Sequence, residues 1–182
     1  MEDVTSPDAP TAREVVLIRH AEPVVDAHVL PEIWELSNAG RAAARRFASR
    51  LARVGLDRLV TSPEVKAVQT AEILASTLGV TLGVDPRLHE VRRPWMPAHP
   101  RREVGRYLEG ASLEGWEPLE VVRRRVATAL GDAGEDLVGF VTHGTAMAAL
   151  FAGSDVVDAW RFWCELRMPD AFRVSGASLT RL

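Results

Sequence analysis

Several features that mark particular protein classes are scarce in this 182-residue sequence. It has one cysteine, Cys164, so no disulfide can form within the chain and we expect a reducing, cytoplasmic setting. The net charge is -3, whereas binding to a nucleic-acid backbone requires a basic surplus, so we expect no nucleic-acid partner. The longest weakly polar stretch, residues 146–153, is far shorter than the ~20 residues that cross a bilayer, so we expect no membrane insertion.

The beginning of the chain lacks the basic and apolar segments of a signal peptide. Residues 1–12 are acidic and contain proline, so we expect a flexible tail there. The remaining residues, 13–182, are enough for one domain with a single core. We therefore predict a tail followed by one domain.

Sequence motifs of several enzyme classes are also missing. There is no Gly-x-Ser-x-Gly turn and no glycine-rich nucleotide loop, which argues against serine hydrolases and dinucleotide enzymes. Neither a His-Glu-x-x-His spacing nor a cluster of paired carboxylates indicates a metal site. Lysine is nearly absent as well, because Lys66 is the single lysine among 22 Lys and Arg residues.

What the chain does contain is an alternation of strand and helix patterns. Apolar runs predict strands at residues 15–20, 57–61, 80–84, 136–142, 171–174 and 177–182. Amphipathic patterns predict helices at residues 38–54, 63–79, 101–108, 118–130, 145–151 and 156–166. Ser37 and Ser62 are the expected N-caps of the first two helices. The alternation predicts an α/β fold with a mainly parallel sheet and one antiparallel strand in the closing pair.

Three predicted strands end in residues that can do chemistry. Arg19 and His20 end the first strand, Lys66 lies in the first turn of the helix after the second, and His143 and Gly144 end the fourth. Parallel strands bring their carboxyl ends to one edge of the sheet, where ligands bind. A helix N-terminus beside two histidines and two cations favours an anion, so we expect a phosphate site.

Four phrases carrying these residues resemble the histidine phosphatase, or phosphoglycerate mutase-like, superfamily. They are LIRHAE at 17–22, TSPEVKAVQTA at 61–71, LHE at 88–90 and VTHG at 141–144. The resemblance covers residues 15–182 and implies a three-layer α/β/α sandwich. It also implies a metal-independent phosphomonoester hydrolase without cofactors, acting on a small phosphorylated metabolite or a phosphoprotein.

The resemblance also implies a role for each matching residue. His20 would attack the phosphorus and carry the phosphoryl group, and Glu90 would serve as general acid and then general base. The remaining matching residues would hold the phosphate oxygens and neutralise their charge, namely Arg19, Lys66, protonated His143 and Gly144.

Two departures from the family pattern leave alternatives open. Lys66 stands where the family usually has arginine, and Ala21 where it usually has glycine, so the chain could be a weakly active or inactive phosphate-binding protein. The other alternative is phosphate transfer of the phosphoglycerate mutase type. We favour hydrolysis, because the short stretch between Glu90 and His143 leaves little room for the lid that the mutases build there.

Loop residues near these motifs are candidates for contacts with the rest of the substrate. Four side chains form this candidate substrate pocket, namely His28, Arg92, Arg93 and Trp95. The arginine run at residues 123–125 is expected instead to form the solvated face of a helix.

Overall fold

The computed structural model describes residues 14–95, 101–134, 136–176 and 178–182. The predicted tail at residues 1–12 lies outside these ranges, as does residue 177, at which the last predicted strand begins. The division into tail and domain therefore stays a prediction.

Six strands form one sheet in the described residues, in the spatial order β3-β2-β4-β1-β5-β6. Their bounds are β1 Glu14–Arg19, β2 Arg58–Thr61, β3 Thr81–Val84, β4 Val138–Thr142, β5 Asp170–Ser175 and β6 Ser178–Arg181. The pairs β3·β2, β2·β4 and β4·β1 are parallel. Strand β5 is antiparallel to both of its neighbours, so it is the one strand of these six that runs against the others. The predicted sheet is confirmed.

Helices cover both faces of this sheet. Their bounds are α1 Asn38–Leu51, α2 Val65–Leu78, α3 Arg101–Leu108, α4 Leu119–Gly131, α5 Gly144–Ala149 and α6 Ala159–Glu165. On one face, Val16 and Ile18 of β1 pack in a core cluster with side chains of α1 and α2. On the other, Val15 and Leu17 belong to a cluster built mainly from α3 to α6. This alternation along β1 produces the predicted three-layer sandwich.

Two helix limits differ from the prediction by three residues. Helix α1 ends at Leu51 instead of residue 54, because the chain turns over residues 52–54 before Gly55 adopts a left-handed backbone. Helix α6 begins at Ala159 instead of residue 156. Ahead of the helix, the Ser154 hydroxyl accepts bonds from the backbone N–H groups of Val156 and Val157. The Asp158 side chain then caps the helix by accepting from Arg161 N.

The longest helices in the described part of the chain, α1 and α2, have 14 residues each. No helix there has the length and apolar character needed to cross a membrane.

Candidate active site

The predicted site residues meet at the carboxyl ends of β1, β2 and β4, which are neighbours in the sheet. The ladder continues one residue past the strands, because His20 N donates to Thr142 O (3.1 Å) and Ser62 N donates to Val141 O (2.9 Å). These bonds bring the rings of His20 and His143 to a centroid distance of 5.1 Å at an angle of 59°. Two histidines separated by most of the chain therefore face each other across one cleft.

The environment of His20 leaves one ring nitrogen available as a nucleophile. Its Nδ1 lies 2.7 Å from the carbonyl oxygen of Ala21, which can only accept, so Nδ1 carries the proton and Nε2 keeps its lone pair. Burial lowers the pKa of His20 well below its usual value, and the positive groups around it act in the same direction. The imidazole is therefore neutral at pH 7.

His143 is fully buried at the end of β4. Its Nε2 lies 2.8 Å from Ser62 Oγ and 3.4 Å from Glu64 Oε1, while Nδ1 has no hydrogen-bond partner among the described residues. Burial lowers the pKa of His143 to about 3, although the nearby Glu90 opposes the shift. Burial therefore keeps the ring neutral in this structure, and the protonated form of His143 expected beside a phosphate stays a prediction. To act as a cation beside an anion, His143 would have to take up a proton when the anion binds.

Arg19 and Gly144 lie against each other beside the histidines. The guanidinium donates to Leu166 O (3.2 Å), and its Nε is buried with no partner among the described residues. A Cβ added to Gly144 would lie 3.2 Å from the guanidinium carbon, so glycine leaves the space that Arg19 occupies. Burial lowers the pKa of Arg19, but an arginine remains charged at pH 7. Its Nε is therefore a buried donor without a partner among the described residues.

The Glu90 carboxylate lies at the start of α5. Its Oε1 accepts from the backbone N–H groups of Val91 (2.8 Å) and Ala146 (2.9 Å), and its Oε2 accepts from that of Thr145 (3.2 Å). Thr145 and Ala146 directly follow His143 and Gly144 in the chain, so these bonds hold the carboxylate close to both. The carboxylate therefore belongs to the same cleft.

A largely buried ion pair holds the backbone around Glu90, and the sequence reasoning missed it. Arg125 pairs with Glu117 (2.8 Å), and the two side chains are only 11% and 10% exposed. Arg125 also donates to the carbonyl oxygens of Arg87 (2.6 Å), His89 (2.8 Å) and Glu90 (3.2 Å). Burial acts to raise the pKa of Glu117, but the bonds from Arg125 and from Arg92 N lower it overall. The expectation of a solvated Arg125 is wrong, because its guanidinium satisfies three loop carbonyls.

The start of α2 also differs from the prediction. The helix begins at Val65 with Glu64 as N-cap, whereas Ser62 and Pro63 were expected to cap and begin it. The Ser62 hydroxyl contacts His143 and accepts from Glu64 N (3.3 Å) instead. Because the helix starts later, Glu64 lies outside it, where its side chain can fold back toward Lys66.

Lys66 reaches the site but is already paired. Its Nζ donates to Glu64 Oε2 (2.5 Å) and to Pro31 O (2.7 Å), and the side chains of Lys66 and Glu64 are each 6% exposed. Glu64 Oε1 also accepts from Glu90 N (2.6 Å). The sequence reasoning did not single out Glu64. An available signal was the proximity of an acidic residue to the single lysine of the chain.

The four candidate pocket residues have different positions. Trp95 packs edge-to-face on Trp34 with centroids 4.8 Å apart, and the Trp34 ring lies 5.9 Å from Lys66 Nζ. For the other three residues the pocket role stays a prediction. Arg93 is turned onto the ring of Trp116, while the side chains of His28 and Arg92 are exposed on loops.

The Ala21 methyl does not face the cleft. Ala21 is fully buried and packs with Leu36 and Ala44 in a small apolar cluster. Its backbone N donates to Thr70 Oγ1 (3.0 Å), which holds the turn after His20 in place. The substitution of alanine for the usual glycine is thus accommodated by packing.

No group of three or more His, Cys, Asp or Glu side chains suited to a metal ion is found in the described ranges. That the reaction needs no metal stays a prediction, derived from the cationic side chains around the cleft.

Comparisons with known proteins agree with this geometry. Residues 15–174 match the family model of the histidine phosphatase superfamily, branch 1. A Yersinia enterocolitica protein named "Probable phosphoglycerate mutase GpmB" is 27% identical, over 76% of this chain and 73% of that protein. A solved mycobacterial glucosyl-3-phosphoglycerate phosphatase matches with a TM-score of 0.72 at 22% identity, covering 94% of this chain and 96% of that one.

Another solved structure, Bacillus stearothermophilus YhfR, matches with a TM-score of 0.69 at 22% identity, covering 93% and 95% of the two chains. These neighbours share the fold, and the family model spans all of the residues described in the cleft. The chain therefore belongs to the histidine phosphatase superfamily, with a phosphoglycerate mutase-like fold.

Proposed function

We propose that this protein is a metal-independent phosphomonoester hydrolase that acts through a phosphohistidine on His20. The observation that carries the proposal is the hydrogen bond from His20 Nδ1 to Ala21 O. It places the ring proton on Nδ1, so that Nε2 keeps a lone pair with which to attack. A neutral, buried imidazole with one nitrogen fixed is suited to attack a phosphorus atom. The facing His143 and the unpaired Arg19 Nε support the same assignment.

In the first step His20 Nε2 forms a bond to phosphorus while the bond from phosphorus to the ester oxygen breaks. The electron pair stays on that oxygen, which takes a proton from the carboxylic acid form of Glu90, and the alcohol leaves. In the second step the Glu90 carboxylate takes a proton from water as the water oxygen bonds to phosphorus. The P–N bond breaks, inorganic phosphate forms, and His20 and Glu90 return to their starting states.

The surrounding side chains would stabilise the transferred group. Arg19 and the backbone N–H of Gly144 are suited to bind its equatorial oxygens, and His143 would join them after taking up a proton. The Arg125–Glu117 pair acts indirectly, because it holds the loop carbonyls that position Glu90.

Apolar side chains near the cleft favour an ester with an apolar or aromatic part. Leu30 and Ile33 are strongly exposed on either side of Pro31, whose carbonyl holds Lys66, and Trp95 is exposed beside Trp34. We expect Trp95→Ala to raise KM for an aryl phosphate more than it weakens inhibition by inorganic phosphate. Equal effects on both would remove Trp95 from the pocket.

The direct test is hydrolysis of p-nitrophenyl phosphate, followed by a panel of metabolite and protein phosphomonoesters, with and without EDTA. We expect turnover that EDTA does not reduce. Loss of turnover in EDTA that returns with added metal would contradict a metal-independent reaction.

Two alternatives have distinct outcomes in the same assays. The similarity to a protein named as a probable phosphoglycerate mutase favours testing 3-phosphoglycerate, with and without a bisphosphate primer. Conversion to 2-phosphoglycerate without net release of phosphate would identify a mutase. Phosphate binding without turnover of any ester would identify a non-catalytic phosphate-binding protein.

A further inference from the structure

A buried carboxylate lies among the groups that would bind the phosphate. Glu64 uses one oxygen for Lys66 Nζ (2.5 Å), and its other oxygen accepts from Glu90 N (2.6 Å) and lies 3.4 Å from His143 Nε2. A carboxylate thus bridges Lys66 and His143, two of the groups expected to hold phosphate oxygens. Two oxygens on one planar group resemble one edge of a phosphoryl group in shape and charge.

The charges of the cleft agree with this resemblance between the Glu64 carboxylate and a phosphoryl group. The cations Arg19 and Lys66 lie among the carboxyl groups of Glu64 and Glu90, and both histidines are buried and neutral. Asp170, whose charge also acts on Arg19, is paired with Arg181. Without Glu64 the same groups would carry a net positive charge. A phosphate dianion therefore meets a cleft whose positive charge is already neutralised from within.

We infer that Glu64 is an internal anion that occupies the Lys66 side of the phosphate site, so that a phosphoryl group has to displace it in order to bind. This inference rests on the proposed function and adds a residue that tunes phosphate affinity. It also gives a reason for lysine at position 66. The lysine ammonium is a point charge on a flexible side chain, so it can exchange one anion for another. An arginine would hold a carboxylate more firmly, through two parallel hydrogen bonds.

The opposite role for Glu64 would be to orient Lys66 toward phosphate. The geometry argues against it, because Lys66 Nζ has a second anchor at Pro31 O and the Trp34 ring beside it. The two roles also predict opposite results when the charge of Glu64 is removed. Competition predicts tighter phosphate binding, and orientation predicts weaker binding.

The first test is isothermal titration of inorganic phosphate into the wild type and into Glu64→Gln. The glutamine keeps the shape and an acceptor for Glu90 N but removes the charge. We expect phosphate to bind Glu64→Gln about tenfold more tightly or better, and to raise its melting temperature more than that of the wild type. The matched control is Glu120→Gln, which removes an exposed carboxylate paired with Arg123 on α4 and should leave phosphate binding unchanged.

A second measurement needs no variant, because the chain contains one lysine. Protein labelled with ¹⁵N-lysine gives a single side-chain nitrogen NMR signal, that of Lys66 Nζ. We expect saturating inorganic phosphate to move this signal as Lys66 exchanges Glu64 for phosphate.

Each outcome has a defined meaning. Phosphate binding that is equal or weaker in Glu64→Gln, or a Lys66 signal that stays in place while calorimetry shows phosphate bound, would overturn the role of Glu64 and leave the proposed hydrolase intact. If phosphate binds to neither protein, the proposed function itself fails, and the inference fails with it.

Discussion

The two sides of the cleft are built in different ways. On the strand side, Arg19, His20 and His143 follow directly from β1 and β4, and backbone bonds such as His20 N to Thr142 O place them. On the helix side, Glu64 and Lys66 at the start of α2 are placed by contacts between side chains and with the loop at Pro31. The sheet thus fixes the groups proposed to do the chemistry, while side-chain pairing sets the charge that surrounds them.

Among the groups on the strand side, the largest effect on activity is expected for His20→Ala. We expect turnover of p-nitrophenyl phosphate to fall by about 10³-fold or more, because the other imidazole of the cleft, His143, is fully buried with its Nε2 at hydrogen-bond distance from Ser62 Oγ. The variant should keep its circular dichroism spectrum. Activity within tenfold of the wild type would remove His20 from the proposed mechanism.

The Arg125–Glu117 pair tests whether the strand side depends on the loop that carries Glu90. We expect Arg125→Ala to lower kcat by about 10²-fold, because a small displacement of the general acid has a large effect on rate. Denaturant unfolding should show a loss of roughly 3 kcal/mol, because Glu117 keeps a poorly solvated charge without its partner.

Arg123→Ala is the matched control for this prediction. Arg123 lies on the same helix, but its ion pair with Glu120 is exposed, so removing it should change neither kcat nor stability measurably. Equal effects of the two substitutions would show that Arg125 acts through the helix and not through the Glu90 loop.

The buried histidines predict a pH dependence of stability. In the unfolded chain a histidine takes up a proton near pH 6.5, whereas burial lowers the pKa of His143 to about 3. Between these values the unfolded state binds more protons, so stability is retained above pH 6.5 and is lost as pH falls below it. The loss reaches up to about 1.4 kcal/mol per pH unit for each such group.

Urea unfolding at pH 7, 6 and 5 measures this loss. The free energy of unfolding of His143→Gln should depend less steeply on pH than that of the wild type, whatever its value at pH 7. The difference should correspond to about one proton taken up on unfolding. Identical slopes for the two proteins would mean that His143 is not held neutral by the fold.

The smallest effect is expected for Lys66→Arg on the helix side. With Glu64 in place, the arginine fork pairs with the same carboxylate, so we expect kcat/KM to stay within about threefold of the wild type. In the Glu64→Gln background the same substitution should increase kcat/KM, because the fork becomes available to phosphate. A fall of more than tenfold in Lys66→Arg alone would show that the lysine itself is required.

The sequence was sufficient for features governed by backbone geometry. Apolar runs and their order predicted the sheet, the single antiparallel strand and the meeting of His20 with His143, because parallel strands necessarily share an edge. The N-cap at Ser37 was also predictable, and its hydroxyl accepts from Gly40 N (2.9 Å). These features depend on local pattern and on sheet topology.

Features that depend on tertiary partners could not be predicted in the same way. Arg125 resembles its exposed neighbours in sequence, and its burial follows only from the loop carbonyls that it meets. Glu64 and Lys66 are close in sequence, but their pairing depends on where α2 begins. The low pKa of His143 likewise comes from burial, which no local pattern reveals.

The central claim is that His20 carries the phosphoryl group, and Glu90→Gln allows it to be tested directly. With p-nitrophenyl phosphate the leaving group needs no proton, so the first step should proceed, whereas the second step lacks its base and the intermediate should accumulate. We predict a burst of p-nitrophenolate close to one per protein molecule and, after an alkaline quench, a phosphorylated peptide whose modified residue is His20 by tandem mass spectrometry. Continued slow turnover with no burst and with unmodified His20 would contradict the account.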